Sequence, residues 1–94
     1  MKPEGDRNRI AQAWQDPAML QIGKGGITDT LVKETVRLLK KHHYIKVRML
    51  RAALDGTSKL ELMTNLCESS GAILAGVRGN TAVIHRTRAS QRVR

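Results

Sequence analysis

The chain has 94 residues, enough for one domain that buries roughly 60–65% of its unfolded surface and too few for a second domain or a deep substrate cleft. Hydrophobic residues at 40% and charged residues at 27% exclude wholesale disorder. Seventeen Lys and Arg against eight Asp and Glu leave a formal charge of +9, self-repulsion that adds nothing to a small fold and calls for a polyanionic partner. No apolar run reaches the length of a membrane span or a signal-peptide core, so a soluble, cytoplasmic chain with no membrane partner is expected.

In chain order, residues 1–6 form a polar lead-in with Pro3 and Gly5. Asp6 is placed to cap a short helix in which Ile10, Ala13 and Trp14 share a stripe, and Asp16-Pro17 ends it. Ala18–Ile22, bounded by Pro17 and by glycines 23, 25 and 26, is expected to be a strand. From Thr28 to about His43 the spacing of Leu31, Val32, Thr35, Leu38, Leu39 and His42 predicts a helix, with Thr28 as its N-cap and Asp29 in its first turn. Tyr44–Leu50 alternates, with Ile45, Val47 and Met49 on one face and Lys46 and Arg48 on the other, as in a strand with one wet side.

Asp55-Gly56 marks a turn. Ser58 and Glu61 then have the spacing of a capping box, opening a helix expected to carry Leu60, Met63, Leu66 and Cys67 inward until Gly71 stops it. Ala72–Val77 and Thr81–Arg86 are two strands joined at Gly79-Asn80, a pair suited to a tight hairpin. Residues 88–94 lack periodicity and form an Arg-rich tail. The expected fold is α+β, a two-layer α/β arrangement: a mixed four-stranded sheet with helices packed on it, in the order α-β-α-β-α-β-β. The strand-helix-strand step favours a parallel pair and the terminal hairpin adds antiparallel pairing.

The segment Ile22–Thr28 joins a strand to a helix through three glycines and Lys24. Such a junction admits a second backbone and lies beside the free amides of a helix start, so a phosphate of a nucleic-acid backbone fits it. It is neither of the familiar nucleotide loops. After Gly23-Lys24 come Gly25 and Gly26 where the P-loop needs Ser or Thr, and the sixth place of a dinucleotide fingerprint is Thr28.

Behind this loop, Lys33, Arg37, Lys40 and Lys41 share a helix face away from the apolar stripe. Like charges at that spacing cost about 0.2–0.5 kcal/mol per pair unless something negative covers them, although Lys40 and Lys41 also complement the helix dipole. Residues 24–51 hold eight Lys and Arg against two acids, whereas residues 52–80 hold two against three, so the charge is concentrated. Lys46 and Arg48 either extend this patch or merely discourage edge pairing.

Trp14 and Tyr44 are the sole Trp and Tyr and Phe is absent, too few aromatics for base stacking along a single strand; recognition of backbone and shape in folded RNA suits the chain better. Cys67 has no partner for a disulfide and reads as a buried thiol. His42, His43, His85 and the scattered acids offer neither a metal-ligand spacing nor a nucleophile–base pair, so no metal, no cofactor and no catalysis are expected.

Taken together, Gln21–Thr28 resembles the signature of the CRM domain, the chloroplast RNA splicing and ribosome maturation family. Ile45-Lys46-Val47-Arg48 is similar to that family's second strand, and Val77–Arg86 to its closing hairpin. The resemblance implies a domain over residues 7–87, a fold like the C-terminal domain of translation initiation factor three, and RNA contact through a GxxG loop, here Gly23, Lys24, Gly25 and Gly26. For single-domain, YhbY-like members it also implies association with precursors of the large ribosomal subunit. The chain departs from the family at His85, where Tyr is usual, and in an N-terminal helix that is shorter and poorer in Lys and Arg. The expected activity is binding of RNA, ribosomal RNA or its precursor, by a monomer. The alternatives are an Alba-like chromatin protein and a small enzyme acting on RNA or nucleotides.

Overall fold

Side chains that take over orphan amides start two of the three α-helices in a computed structural model of the chain, which describes residues 7–86. The elements are α1 (Arg7–Gln15), β1 (Leu20–Ile22), α2 (Asp29–His42), β2 (Tyr44–Met49), a short 3-10 helix (Arg51–Leu54), α3 (Lys59–Ser70), β3 (Ile73–Arg78) and β4 (Thr81–His85). The expected Asp6 cap, the lead-in and the Arg-rich tail lie outside the described residues.

Thr28 Oγ1 accepts from Leu31 N at 3.1 Å to open α2. Ser58 and Glu61 form the reciprocal capping box that opens α3, and Gly71, at φ 75°, ends it with its N–H on the Cys67 carbonyl. Replacing Ser58 by Ala removes one half of that box and should cost about 1 kcal/mol in a urea melt. A change under a tenth of that would mean that the box contributes nothing.

The sheet order is β1-β2-β4-β3, with β1 and β2 parallel and β4 antiparallel to both its neighbours. A parallel pair needs a crossover, and α2 supplies it. β1 is shorter than the apolar stretch that marks it, as pairing with β2 begins only at Met19 N on Lys46 O, 2.9 Å.

One face of the sheet, with Ile22, Ile45, Val47, Met49, Ala82 and Ile84 fully buried, packs against Leu38 and Leu39 of α2 and Leu62, Met63 and Leu66 of α3. Leu60 is not among them. It is 61% exposed while Leu62 is buried, because the packed position of α3 centres the inward stripe on positions 62, 63, 66 and 67. Leu60 and Met63 are three apart, which makes Leu60 read as inward, but the stripe's centre excludes it.

α1 covers part of the opposite face. Lys46 Nζ donates to the carbonyls of Trp14 (2.9 Å) and Asp16 (3.2 Å), and Gly76 of β3 lies under Trp14, where a Cβ would come within 3.6 Å of the indole. The guanidinium of Arg78 sits 4.4 Å from the centroid of the Trp14 ring system. β4 is thereby enclosed on both sides, with Ala82, Val83, Ile84 and His85 all buried. The wet face of β2 is correspondingly narrower than alternation suggests: Tyr44 and Lys46 are half-buried and Arg48 is exposed.

His43, between α2 and β2, holds φ 69° and ψ −38°, a region that side chains rarely adopt. The position is fixed from both sides, its N–H on Leu39 O (2.9 Å) and its carbonyl accepting from Arg86 N (3.1 Å). Strain of this kind costs on the order of 1–3 kcal/mol, and glycine returns about 0.5–1 kcal/mol of it as unfolded-state entropy. His43→Gly should therefore stabilise the fold by about 1 kcal/mol, read as a higher urea midpoint; a lower midpoint would contradict the strain.

Cys67 is 7% exposed, and burial pushes its thiol up to about 11. The folded state thus holds the proton more tightly than the unfolded chain. Its contribution to stability is present below the ordinary value of 9.0 and is lost as pH rises toward about 11. At pH near 8 a thiol reagent should label the folded protein only as fast as it opens. Labelling as fast as a free thiol would contradict the burial.

Candidate nucleic-acid interface

The loop after β1 is a turn held at its base. Leu50 N donates to Ile22 O (2.9 Å), tying the end of β1 to the end of β2, and Gly26 N donates to Gly23 O (2.9 Å). Lys24 and Gly25 stand at the exposed corner of this turn, and Gly23 and Gly26 are half-buried at its ends. Gly26 adopts φ 67°, and a Cβ there would meet nothing within 4 Å. Its requirement for glycine is conformational, and the space beside it is open.

Thr28 occupies the Leu31 amide and Asp29 puts a carboxylate in the first turn of α2. That carboxylate competes for the helix dipole, so an anion is drawn to the Lys24 corner more than to the helix start itself.

Along α2, Lys33, Arg37, Lys40 and Lys41 are exposed while Thr35, Leu38 and Leu39 are buried on the other side, so the structure does bring the four cations onto one outward face. They are not equivalent. Arg37 Nε reaches Glu34 Oε1 at 3.2 Å and Arg37 Nη2 pairs with Glu34 Oε2. The hydrogen bond to Arg37 holds the Glu34 carboxyl below its usual range, and Glu34 in turn raises the guanidinium. An exposed pair of this kind adds little to stability, but it partly neutralises Arg37. Among the described residues no carboxylate pairs with Lys33, Lys40 or Lys41.

Lys46 and Arg48 lie on the sheet face of α1, not that of α2. The ammonium of Lys46 is engaged with two carbonyls at the end of α1. Arg48 remains exposed and belongs to a row across the sheet, Gln21–Arg48–Thr81–Arg78, set by strand register. Arg78, which sequence patterning left out of the site, shares that row because the Gly79-Asn80 turn pairs it with Thr81. Counting back from the turn would have found it. Arg51, exposed on the 3-10 helix, follows Leu50 at the same end. The carboxyl ends of β1, β2 and β3 thus gather Lys24, Arg48, Arg51 and Arg78 at one end of the sheet, the end from which α2 departs.

His42 and His43 end α2 and His85 is buried in β4, stacked on Tyr44 with ring centroids 5.2 Å apart. Among the described residues no three His, Cys, Asp or Glu side chains gather closely enough to hold a metal ion, and no helix is long and apolar enough to cross a membrane.

A family model of the CRS1/YhbY (CRM) domain matches residues 1–86. The chain is also similar to the hypothetical protein SAV1595 from Staphylococcus aureus, whose solution structure was described as that of a candidate RNA-binding protein. The two are 33% identical with a TM-score of 0.71, over 86% of this chain and 82% of that one. No curated protein matches the chain.

Proposed function

The chain belongs to the CRS1/YhbY (CRM) domain family, and we propose that it binds structured RNA through the Gly23–Gly26 turn and the basic face of α2, without catalysis. The observation that carries this reading is the joining of an open glycine turn, cornered by Lys24, to a helix face whose Lys33, Lys40 and Lys41 pair with no carboxylate among the described residues. Backbone amides and cations at one place suit a phosphate chain, and the shortage of exposed aromatics argues against stacking along an unfolded strand. Arg37 joins the track after exchanging Glu34 for phosphate, and Arg48 extends it at the loop end. Lys46 contributes its charge from beneath α1.

The partner in this reading is ribosomal RNA or its precursor, bound by a cytoplasmic monomer during assembly of the large subunit. That part rests on likeness to single-domain members of the family. Co-sedimentation with large-subunit precursors in a lysate tests it, and exclusive migration with free protein would count against it.

Lys24→Glu should lower affinity for a folded RNA by roughly tenfold or more, since a charge-assisted contact contributes about 1.5–3 kcal/mol. Its circular dichroism should match the parent because Lys24 is exposed. With roughly six phosphates met, log affinity should fall against log salt with a slope near −4 at about −0.7 per contact. An unchanged affinity would remove the loop from the site. Tighter binding to duplex DNA than to folded RNA would favour the Alba-like alternative.

A further inference from the structure

The end of α2 remote from the glycine turn carries a second feature that the RNA track does not account for. A cleft of about 340 Å³ opens there between α1 and the α2–β2 junction, lined among others by Arg9, Gln12, Asp16, Met19, His42 and Tyr44. That volume falls within the range of about 300–1,000 Å³ typical of small-molecule sites. At about 1.5 Å per residue, the 14 residues of α2 separate the cleft from the turn by roughly 20 Å. Lys40 and Lys41 immediately precede His42, so the basic face of α2 leads to the cleft's edge.

Its chemistry differs from that of the track. The guanidinium of Arg9 lies 4.7 Å from the centroid of the Tyr44 ring, and Tyr44 is itself stacked on buried His85. Arg9 is thereby a planar cation held against a platform anchored in the sheet, and such planes accept an unstacked base. Gln12 Nε2 donates to Asp16 Oδ1 at 3.1 Å, holding the carboxylate in place while each of its two oxygens keeps a lone pair able to accept. A carboxylate beside the stack repels phosphate and uses donors on a base edge. Guanine presents its N1–H and exocyclic amine side by side; cytosine offers an amine alone, and uracil flanks its single N–H with carbonyls.

We propose that this cleft is a base pocket that takes one unpaired guanine of the bound RNA, stacked on Arg9 and read by Asp16 with Gln12. The inference rests on the RNA-binding reading for its biological ligand, yet the pocket is tested apart from the turn. The full chain, nitrogen-15 labelled, is titrated with guanosine monophosphate and with uridine monophosphate. Guanosine monophosphate should move the amides of Gln12 and Asp16 and saturate at roughly fivefold or more lower concentration, the low end of what a two-bond base contact discriminates. Asp16→Asn should erase that preference, and Gln12→Ala should weaken it.

Equal saturation by both nucleotides, or shifts confined to the glycine turn, would overturn the pocket. With a folded RNA carrying one unpaired guanine and the same RNA with uracil there, Asp16→Asn should narrow the difference while Lys24→Glu lowers both affinities alike. Loss of affinity in Lys24→Glu with no guanine preference in the parent would sink the pocket alone. A guanine preference with an unaffected Lys24→Glu would sink the turn alone.

Discussion

Leu66→Ala should lower the free energy of unfolding by about 2–5 kcal/mol, a large part of the roughly 5–15 kcal/mol that small domains possess. Leu66 is fully buried at the middle of α3, where the inward stripe of Leu62, Met63 and Cys67 closes over the sheet's core face. Truncation there removes apolar contact on both helix and sheet sides. The strand α3 lies against, β3, is held in a ladder with β4 and cannot collapse into the gap without breaking register. Urea denaturation of parent and variant gives the difference directly. A loss below about 1 kcal/mol would mean that the site relaxes far more than its burial allows. At temperatures where the variant stays folded its RNA affinity should be unchanged, since α3 carries none of the proposed track.

The second large effect is on binding. Replacing Lys33, Lys40 and Lys41 together by Gln should cost on the order of 1,000-fold or more in affinity for a folded RNA, because three charge-assisted contacts of about 1.5 kcal/mol or more each are lost. The same variant should flatten the salt slope by about 2, at roughly −0.7 per phosphate contact. Gln keeps the helix propensity and avoids setting acids against the carboxyl end of the α2 dipole, so the fold should persist. Lys59→Gln, which changes one charge on α3, serves as a control and should leave affinity nearly unchanged. An affinity loss in the triple variant without any change in slope would point to altered shape and not to lost phosphate contacts.

Much of this was legible in the sequence because the signals are local. Thr28, Ser58 with Glu61, Gly71 and the Gly79-Asn80 turn each satisfy backbone groups within a few residues, and the structure has all of them in those roles. The outward face of α2 was legible for the same reason, as helical period alone separates Lys33 and Lys40 from Leu38 and Leu39.

What stayed hidden depends on distant contacts. Period cannot say which face of a sheet a helix covers, so the placing of α1 over Lys46, Gly76 and Tyr44 could not be read from spacing, and Lys46 looked like a free surface cation. Leu60 and Leu62 are both apolar and two apart; only the packed position of α3 decides between them. The 3-10 helix at Arg51–Leu54 is too short to show any period. Arg78 acquires meaning from strand register, which gathers it with Arg48 across β4.

Amide shifts of the full chain on addition of a folded RNA locate the bound RNA most directly. The largest changes should fall at Gly23, Lys24, Gly25 and Gly26 and continue along Lys33, Lys40 and Lys41. Large changes grouped around Leu60 and the outer surface of α3, with the glycine turn unmoved, would contradict RNA binding at the turn.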